Sequence, residues 1–286
     1  MELADIFRAH GDAFGADHRL SAVQRRAMRA IVACRTPALG GHVEACDACG
    51  ETRYTYHSCR NRHCPKCQTR AKERWLDARR RELLATPYFH VVFTLPHELN
   101  ALAQGNSRLI YRSLFAAASQ TLLEFGANPR WLNAQIGVTL VLHTWGQTLT
   151  QHIHVHALVS GGGLDARGQW RAAKRGFLFP AKALSRVFRG KYLAALSEAF
   201  ERGQIALADA TASLHDSTAR ESLFEALRSQ SWVVYAKSPM AGPAQVLQYL
   251  GRYAHRVALS NERLLSLSDQ SVGIGHLRTV QILPAH

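Results

Sequence analysis

The most regular chemical pattern in this chain is an alternation of histidines. In the segment QHIHVHALV, single apolar residues separate His152, His154 and His156. Successive side chains of a β-strand point to opposite faces, so a strand here places the three imidazoles on one face and the apolar residues on the other. Two neutral imidazoles on a rigid strand can share one divalent ion and leave positions open for water and a phosphate oxygen. The alternation predicts a catalytic metal site built on His154 and His156.

A third metal ligand is expected beside this pair. His143 lies on the preceding predicted strand, LVLHTW, and hairpin pairing brings it close to His154. His152 and Gln248 are further candidates, and the sequence leaves the choice open. The competing interpretation is an exposed polar face that repeats histidine without binding metal.

Two tyrosines offer a nucleophile. Tyr249 and Tyr253 are four residues apart, and residues at this spacing share one face of a helix. A phenol can attack a phosphodiester if a metal neutralises the phosphate oxygens and polarises the leaving 3′ oxygen. Aromatic residues at helical spacing are also typical of core packing, but the neighbouring Arg252 and Arg256 favour a phosphate.

Five of the six cysteines lie between Cys46 and Cys67, in the pattern of two CxxC pairs, Cys46 with Cys49 and Cys64 with Cys67. Paired thiolates at this spacing bind tetrahedral Zn²⁺, and a closed four-ligand site is structural. Cys59 is also expected to contribute.

The exact zinc ligands stay open at this point. Cys59 and His63 exceed the needs of a four-ligand site, so they either replace a member of it or join His42 or His57 at a second zinc. Cys34 stands apart and is interpreted as a small buried apolar residue.

The charge of the chain favours a polyanionic partner. Among 286 residues, 35 Lys and Arg against 21 Asp and Glu give a net charge of +14 and a pI near 10.0. Basic residues flank the second cysteine pair, and we expect DNA contact there. They are Arg60, Arg62, Lys66 and Arg70.

An anionic membrane fits the sequence less well than nucleic acid as the polyanionic partner. No apolar run reaches the ~20 residues of a spanning helix, and the N-terminal MELADIFRAH does not resemble a secretory signal. The sequence therefore predicts a bacterial cytoplasmic, nucleoid-associated protein with no membrane partner.

The helices and strands that must position these residues are predicted from the periodicity of apolar residues and from the prolines and glycines that interrupt it. Helices are predicted over 18–33, 68–85, 107–125 and 244–258, strands over 88–95, 136–145, 152–160 and 231–236, and a loop over 161–163. Short hairpin connections indicate an α+β fold with an antiparallel or mixed sheet and helices on one face. We expect a helical zinc-binding domain over residues 1–86 and a catalytic domain over 87–286.

Four segments together resemble the IS91-like insertion-sequence transposases, a branch of the HUH (His-hydrophobic-His) endonucleases. They are SCRNRHCPKCQ, VVFTLPHEL, LHTWGQTLTQHIHVHALVSGGGL and QYLGRYAHRVALSN. The resemblance implies an antiparallel sheet of ferredoxin-like or palm type with Mg²⁺ or Mn²⁺ on His154 and His156. It also implies that Tyr249 and Tyr253 attack in turn, each leaving a 5′-phosphotyrosine and a free 3′-OH, in rolling-circle transposition.

The same resemblance implies single-stranded DNA as the partner, no nucleotide cofactor, and a zinc module that helps to recognise the ends of the element. Members usually continue with a further basic and aromatic region, whereas the likeness fades after LLSLSD, so a shortened copy is expected.

The alternative functions are a plasmid rolling-circle replication initiator or relaxase, and a non-catalytic zinc-dependent DNA-binding protein. A metallohydrolase of small phosphoesters would need no basic flank. Oligomeric state is left open.

Overall fold

The computed structural model describes residues 1–146, 150–173, 178–240, 259–268 and 271–275, together with 245, 251 and 257. The chain divides into two compact units, Met1–Arg79 with Leu250–His286, and Arg80–Tyr249. Within the described ranges, no helix is long and apolar enough to cross a membrane.

The described N-terminal part of the first unit forms α1 (Leu3–Asp17), α2 (Ala22–Ala33) and α3 (Pro65–Arg80), the last of which ends one residue beyond the boundary at Arg79. The helix predicted over 18–33 begins only at Ala22 because Ser21 caps it. The Ser21 hydroxyl accepts from the Gln24 N–H, and the Gln24 side chain accepts from the Ser21 N–H. Helix α1 was not predicted. Helix α3 begins at a proline, a residue favoured in the first turn.

Two hairpins lie in the described part of this unit. Strands β1 (Gly41–Ala45) and β2 (Thr52–Tyr56) pair antiparallel and are exposed along their whole length. Strands β8 (Leu264–Leu267) and β9 (Val272–Ile274) form the second hairpin. The unit has a small buried core, which is Ala4, Ile31, Cys34 and Cys64.

The second unit is built on one antiparallel sheet. Its strands are β3 (Tyr88–Thr94), β4 (Gln135–Trp145), β5 (Gln151–Leu164), β6 (Trp170–Ala172) and β7 (Val234–Met240). They lie in the order β4-β5-β3-β7, and β6 pairs with the end of β5. The prediction of an α+β fold with an antiparallel sheet is confirmed.

Helices α4 (Asn100–Ala127) and α5 (Ala181–Glu201) contact each other and the sheet, and α6 (Ser217–Ser229) precedes β7. The core between sheet and helices includes Phe93 from β3 and Phe188 from α5, whose ring centroids are 4.9 Å apart. Apolar residues of β5 complete this layer, so one face of the strand is committed to the core.

The prediction of a loop over 161–163 is wrong, because these three glycines lie inside β5. A Cβ atom on Gly161 would stand 2.6 Å from the Pro87 carbonyl oxygen, and one on Gly163 would stand 2.3 Å from that of Gln135. The glycines therefore permit close approach of neighbouring backbones and do not form a turn. The helix predicted over 244–258 lies outside the described residues except at 245, 251 and 257.

Candidate metal centres

Three buried histidines meet on the face of the sheet opposite the core. In β5 the apolar residues Ile153, Val155 and Ala157 enter the core, so the alternating residues face the other way. His143 on β4 lies directly opposite His154 in the strand register. His143, His154 and His156 are 3%, 8% and 6% exposed.

The ligand atoms of this triad converge. One ring nitrogen from each of His143, His154 and His156 lies within 4.8 Å of the other two. The His154 and His156 Nε2 atoms are 3.1 Å apart. His152 is exposed and does not belong to this cluster, although its ring centroid is 4.9 Å from that of His154. The structure thus brings together the predicted pair and His143, while Gln248 lies outside the described residues.

The Nδ1 atoms of the two β5 histidines have separate hydrogen-bond partners. His154 Nδ1 is 2.8 Å from the His152 carbonyl oxygen. A carbonyl only accepts, so His154 carries its proton on Nδ1 and presents a lone pair on Nε2. His156 Nδ1 lies 2.9 Å from Nε2 of His90 on β3, a residue that the sequence analysis did not select.

His90 is held neutral by its surroundings. Burial, the ammonium of Lys237 and the neighbouring His154 lower the pKa of His90 to about 3. Lys237 lies on β7 directly opposite His90 in the register. A neutral His90 can accept one hydrogen bond at a ring nitrogen, which a protonated imidazole cannot do.

The triad suits a divalent ion. Neighbouring ligand atoms about 2.1 Å from an octahedral ion stand about 3 Å apart, which agrees with the 3.1 Å between the two Nε2 atoms. Three buried imidazoles on a rigid sheet supply nitrogen ligands for such a site, and oxygen ligands can complete it.

Four cysteines of the first unit form a second cluster. Cys34 at the end of α2, Cys59 after β2, and Cys64 and Cys67 at the start of α3 place their sulfur atoms within 4.8 Å of one another. The Cys67 Sγ lies 3.6 Å from that of Cys34 and 3.7 Å from that of Cys59. Four sulfurs about 2.3 Å from a tetrahedral Zn²⁺ stand about 3.8 Å apart, so the donor set fits zinc.

Burial disfavours bare thiolates in this cluster. It raises the pKa of Cys59 to about 11 and also raises the pKa of Cys64. Burial alone would raise the pKa of Cys67 too, but hydrogen bonds from Cys34 and Cys59 lower it. Two backbone N–H groups donate to the sulfurs of Cys34 and Cys59, each at a distance of 3.5 Å. Because zinc binds cysteines as thiolates, metal binding here would release protons.

This grouping differs from the pairing expected from the sequence. Cys46 and Cys49 are exposed in the turn between β1 and β2 and stand outside the four-sulfur cluster. Backbone hydrogen bonds from Cys49 and Ala48 lower the pKa of Cys46. Cys34, interpreted above as an isolated apolar residue, is 1% exposed and joins the cluster. Its position at the end of the helix that leads into the cysteine segment is the signal that could have identified it.

The candidate second zinc site, built from Cys59 and His63 with His42 or His57, is not assembled among the described residues, where no group of potential metal ligands joins them. The rings of His42 and His57 have centroids 6.1 Å apart. Cys59 instead belongs to the four-sulfur cluster.

The predicted DNA-contacting residues fall into two groups. Arg60, Arg62 and Arg70 are exposed around the cysteine cluster, and Lys66 pairs with the Glu2 carboxylate at 2.6 Å. The predicted nucleophiles and their basic neighbours lie outside the described residues. They are Tyr249, Tyr253, Arg252 and Arg256.

Two family models match the chain. "Transposase zinc-binding domain" (Zn_Tnp_IS91) covers residues 6–95, and "Putative transposase" (Y2_Tnp) covers residues 137–279. The chain therefore belongs to the DNA transposases. Within that class it is a member of the IS91-like family, and its N-terminal region is a zinc-binding domain. The family expected from the four sequence motifs is confirmed.

Relatives support the same assignment. The chain is 52% identical over 273 residues to "Putative transposase y4qJ" of Sinorhizobium fredii, which spans 95% of this chain and 69% of that protein. It is 30% identical over 239 residues to "Transposase for insertion sequence element IS801" of Pseudomonas savastanoi pv. phaseolicola, over 82% of this chain and 55% of that protein.

Solved structures show a slighter likeness. The conjugative relaxase TrwC in complex with mutant oriT DNA is 22% identical over 37% of this chain and 43% of its own, with a TM-score of 0.31. TrwC complexed with a 27-mer DNA gives a TM-score of 0.30 at 20% identity, over 38% of this chain and 44% of its own. Overlap of this extent carries no conclusion about mechanism.

Proposed function

We propose that this chain nicks and rejoins single-stranded DNA through a 5′-phosphotyrosine, as the transposase of an IS91-like element that moves by rolling-circle transposition. The observation that carries the proposal is the buried triad of His143, His154 and His156 on the face of the sheet opposite the core of the second unit. In a member of a transposase family, such a triad is best explained as the metal site of strand cleavage. We expect the reaction to take place on DNA in the bacterial cytoplasm.

The triad would hold Mg²⁺ or Mn²⁺ through its ring nitrogens. When bound, the ion neutralises the scissile phosphate and stabilises charge that develops on the leaving 3′ oxygen. The protein supplies a rigid support, because Val155 between the two β5 ligands is fully buried in the core. Preorganised ligands need little rearrangement when the phosphate arrives.

The proposed nucleophiles are Tyr249 and Tyr253. The phenol oxygen of one tyrosine forms a bond to the scissile phosphorus while the bond from phosphorus to the 3′ oxygen breaks. The proton of the phenol is lost to solvent or a nearby base, and the leaving 3′ oxygen takes up a proton from solvent to become a hydroxyl. The phosphodiester energy is kept in the phosphotyrosine, so rejoining to another 3′-OH requires no nucleotide cofactor. The second tyrosine serves the second strand exchange.

Electrostatics supports a DNA partner. Lys237 is exposed on β7, on the same face of the sheet as the triad, because it lies opposite His90. Arg60, Arg62 and Arg70 form an exposed basic surface on the zinc-binding domain. We propose that this surface contacts the terminal DNA of the element, and that the zinc module over residues 1–86 and the catalytic domain over 87–286 divide recognition and chemistry between them.

The test is covalent trapping on DNA strands that carry a candidate element end. With Mn²⁺, a 3′-labelled strand should stay attached to the protein, and a 5′-labelled strand should be released with a free 3′-OH. EDTA should abolish both products. A Tyr249→Phe, Tyr253→Phe double variant should form no adduct, while each single variant should still form one.

An identical adduct from wild type and the double variant would refute the proposal. Metal-independent binding to DNA without any cleavage would favour the non-catalytic DNA-binding protein. Cleavage confined to a plasmid origin would favour a replication initiator or relaxase, which shares the chemistry but not the substrate.

A further inference from the structure

His90 occupies a buried position one strand away from the metal triad. It lies on β3, which pairs with β5 so that His90 is opposite Leu158 and Val92 is opposite His156. His90 therefore reaches His156 diagonally across the sheet, and both side chains are on the same face. His90 is 3% exposed.

The contact between the two rings is a hydrogen bond. His90 Nε2 lies 2.9 Å from His156 Nδ1, and the ring planes are within 16° of parallel. The ring centroids are 5.1 Å apart, much farther than the two nitrogens, so the imidazoles meet edge to edge. This geometry aligns an N–H of one ring with the lone pair of the other.

The direction of this hydrogen bond decides whether His156 can bind metal. If His156 donates from Nδ1, its Nε2 carries a lone pair beside the Nε2 of His154, 3.1 Å away. If His156 accepts at Nδ1, its proton sits on Nε2 and blocks the metal. His154 faces no such choice, because its Nδ1 partner is the His152 carbonyl oxygen.

We propose that His90 is a positioning residue that accepts the Nδ1 proton of His156 and thereby holds His156 in its metal-binding tautomer. This inference rests on the metal site of the proposed function. His90 keeps its own proton on Nδ1 and presents the lone pair of Nε2 to His156. A histidine ligand whose outer nitrogen is hydrogen-bonded is oriented and more basic, and loss of such a partner typically costs about 10–100-fold in metal affinity.

Two substitutions separate hydrogen bonding from packing. His90→Gln keeps an acceptor of similar reach, because the side-chain amide oxygen can replace Nε2. His90→Leu keeps the volume but removes the acceptor. Val91→Ala is the matched control, since Val91 is the next residue of β3, is 1% exposed and faces the core. It should lower thermal stability without touching the histidine contact.

The first readout is Mn²⁺ affinity, measured by electron paramagnetic resonance on protein whose cysteine site is kept loaded with zinc. His90→Leu should bind Mn²⁺ about 10–100-fold more weakly than wild type. His90→Gln and Val91→Ala should stay within about threefold of wild type, because both keep an acceptor for His156. Equal affinity for His90→Leu and wild type would overturn the proposal, as would equal losses for the Leu and Gln variants.

The second readout is the tautomer of His90 in wild type loaded with diamagnetic Mg²⁺, measured from its ring ¹⁵N chemical shifts. The Nδ1–H tautomer should dominate, and an Nε2–H tautomer would overturn the proposal even if His90→Leu fails to fold. The outcome is independent of DNA chemistry. A protein that forms no adduct with DNA but shows the Nδ1–H tautomer and the His90→Leu affinity loss would refute the proposed function and leave this inference standing.

Discussion

The two candidate metal-binding clusters of this transposase are assembled in opposite ways. The histidine triad comes from two neighbouring strands of a sheet whose other face is a large hydrophobic core. The cysteine cluster comes from a helix end, a loop and the start of another helix, over a buried core of four residues of which two are cysteines. The sheet therefore has a core of its own that does not involve the triad, whereas two of the clustered cysteines are themselves part of the small core of their unit.

Metal removal should have different consequences in the two regions. Structural zinc contributes folding free energy directly, because the unfolded chain has no preformed site. A catalytic ion on a prefolded sheet contributes mainly to the reaction. The following predictions can break or sharpen this contrast.

The largest effect is expected at the cysteine cluster. Cys34→Ala should abolish zinc binding and unfold the zinc-binding domain, because a structural zinc contributes about 10–16 kcal/mol of apparent binding free energy. Zinc content by mass spectrometry and helix content by circular dichroism measure the loss. Cys46→Ala is the matched control, because Cys46 is exposed in the turn of the hairpin, and it should keep its zinc. Loss of zinc from Cys46→Ala and retention by Cys34→Ala would reverse the assignment.

The next effect is expected at the third histidine. His143→Ala should lower the rate of DNA nicking by about 100–1000-fold, because loss of a ligand weakens the several kcal/mol of charge stabilisation from the ion. The melting temperature should change little. His152→Ala is the control, because the exposed His152 ring lies on the same strand face but outside the triad, and the variant keeps the backbone carbonyl that bonds His154. Comparable rate losses in the two variants would mean that His143 has no special role as a ligand.

The smallest effect concerns the backbone that aligns the triad. Gly163→Ala would place a Cβ 2.3 Å from the Gln135 carbonyl oxygen and push β4 away from β5. We expect a destabilisation of about 1–3 kcal/mol from this overpacking, measured by chemical denaturation. Gly190→Ala in α5 meets nothing within 4 Å and should stabilise by roughly 0.5–1 kcal/mol. An unchanged free energy of unfolding for Gly163→Ala would show that β4 and β5 can move apart without loss of stability.

The sequence predicted the histidine site well for a physical reason. Strand periodicity is local, so the alternation in β5 assigned faces without knowledge of the rest of the fold. Hairpin pairing then placed His143 near His154, and the register confirms that neighbourhood. His90 was missed because it belongs to a strand distant in the chain, and no local pattern reports which strand pairs beside β5.

The cysteine site was harder to predict. A CxxC pair encodes a local turn, and that turn is present at Cys46 and Cys49, but turn geometry does not determine which sulfurs meet. Cys34 joins the cluster through the packing of helix α2 on the segment before α3, a long-range contact.

The prediction of a loop over 161–163 was wrong for a related reason. Glycine permits both turns and close backbone approach, and only the neighbouring strands distinguish the two. The positions of Tyr249 and Tyr253 relative to the triad stay predictions.

The strict alternation along β5 makes this strand unusually sensitive to changes in length. Deletion of one residue would turn His154 and His156 into the core and Val155 outward, because a shift of one residue inverts every side chain that follows. Conservative substitutions of the core-facing residues of β5 should be tolerated, but insertions and deletions in this strand should be rare among functional copies. Insertions and deletions among active copies should instead be found between Trp145 and Gln151, which form the last pair in the register of β4 with β5.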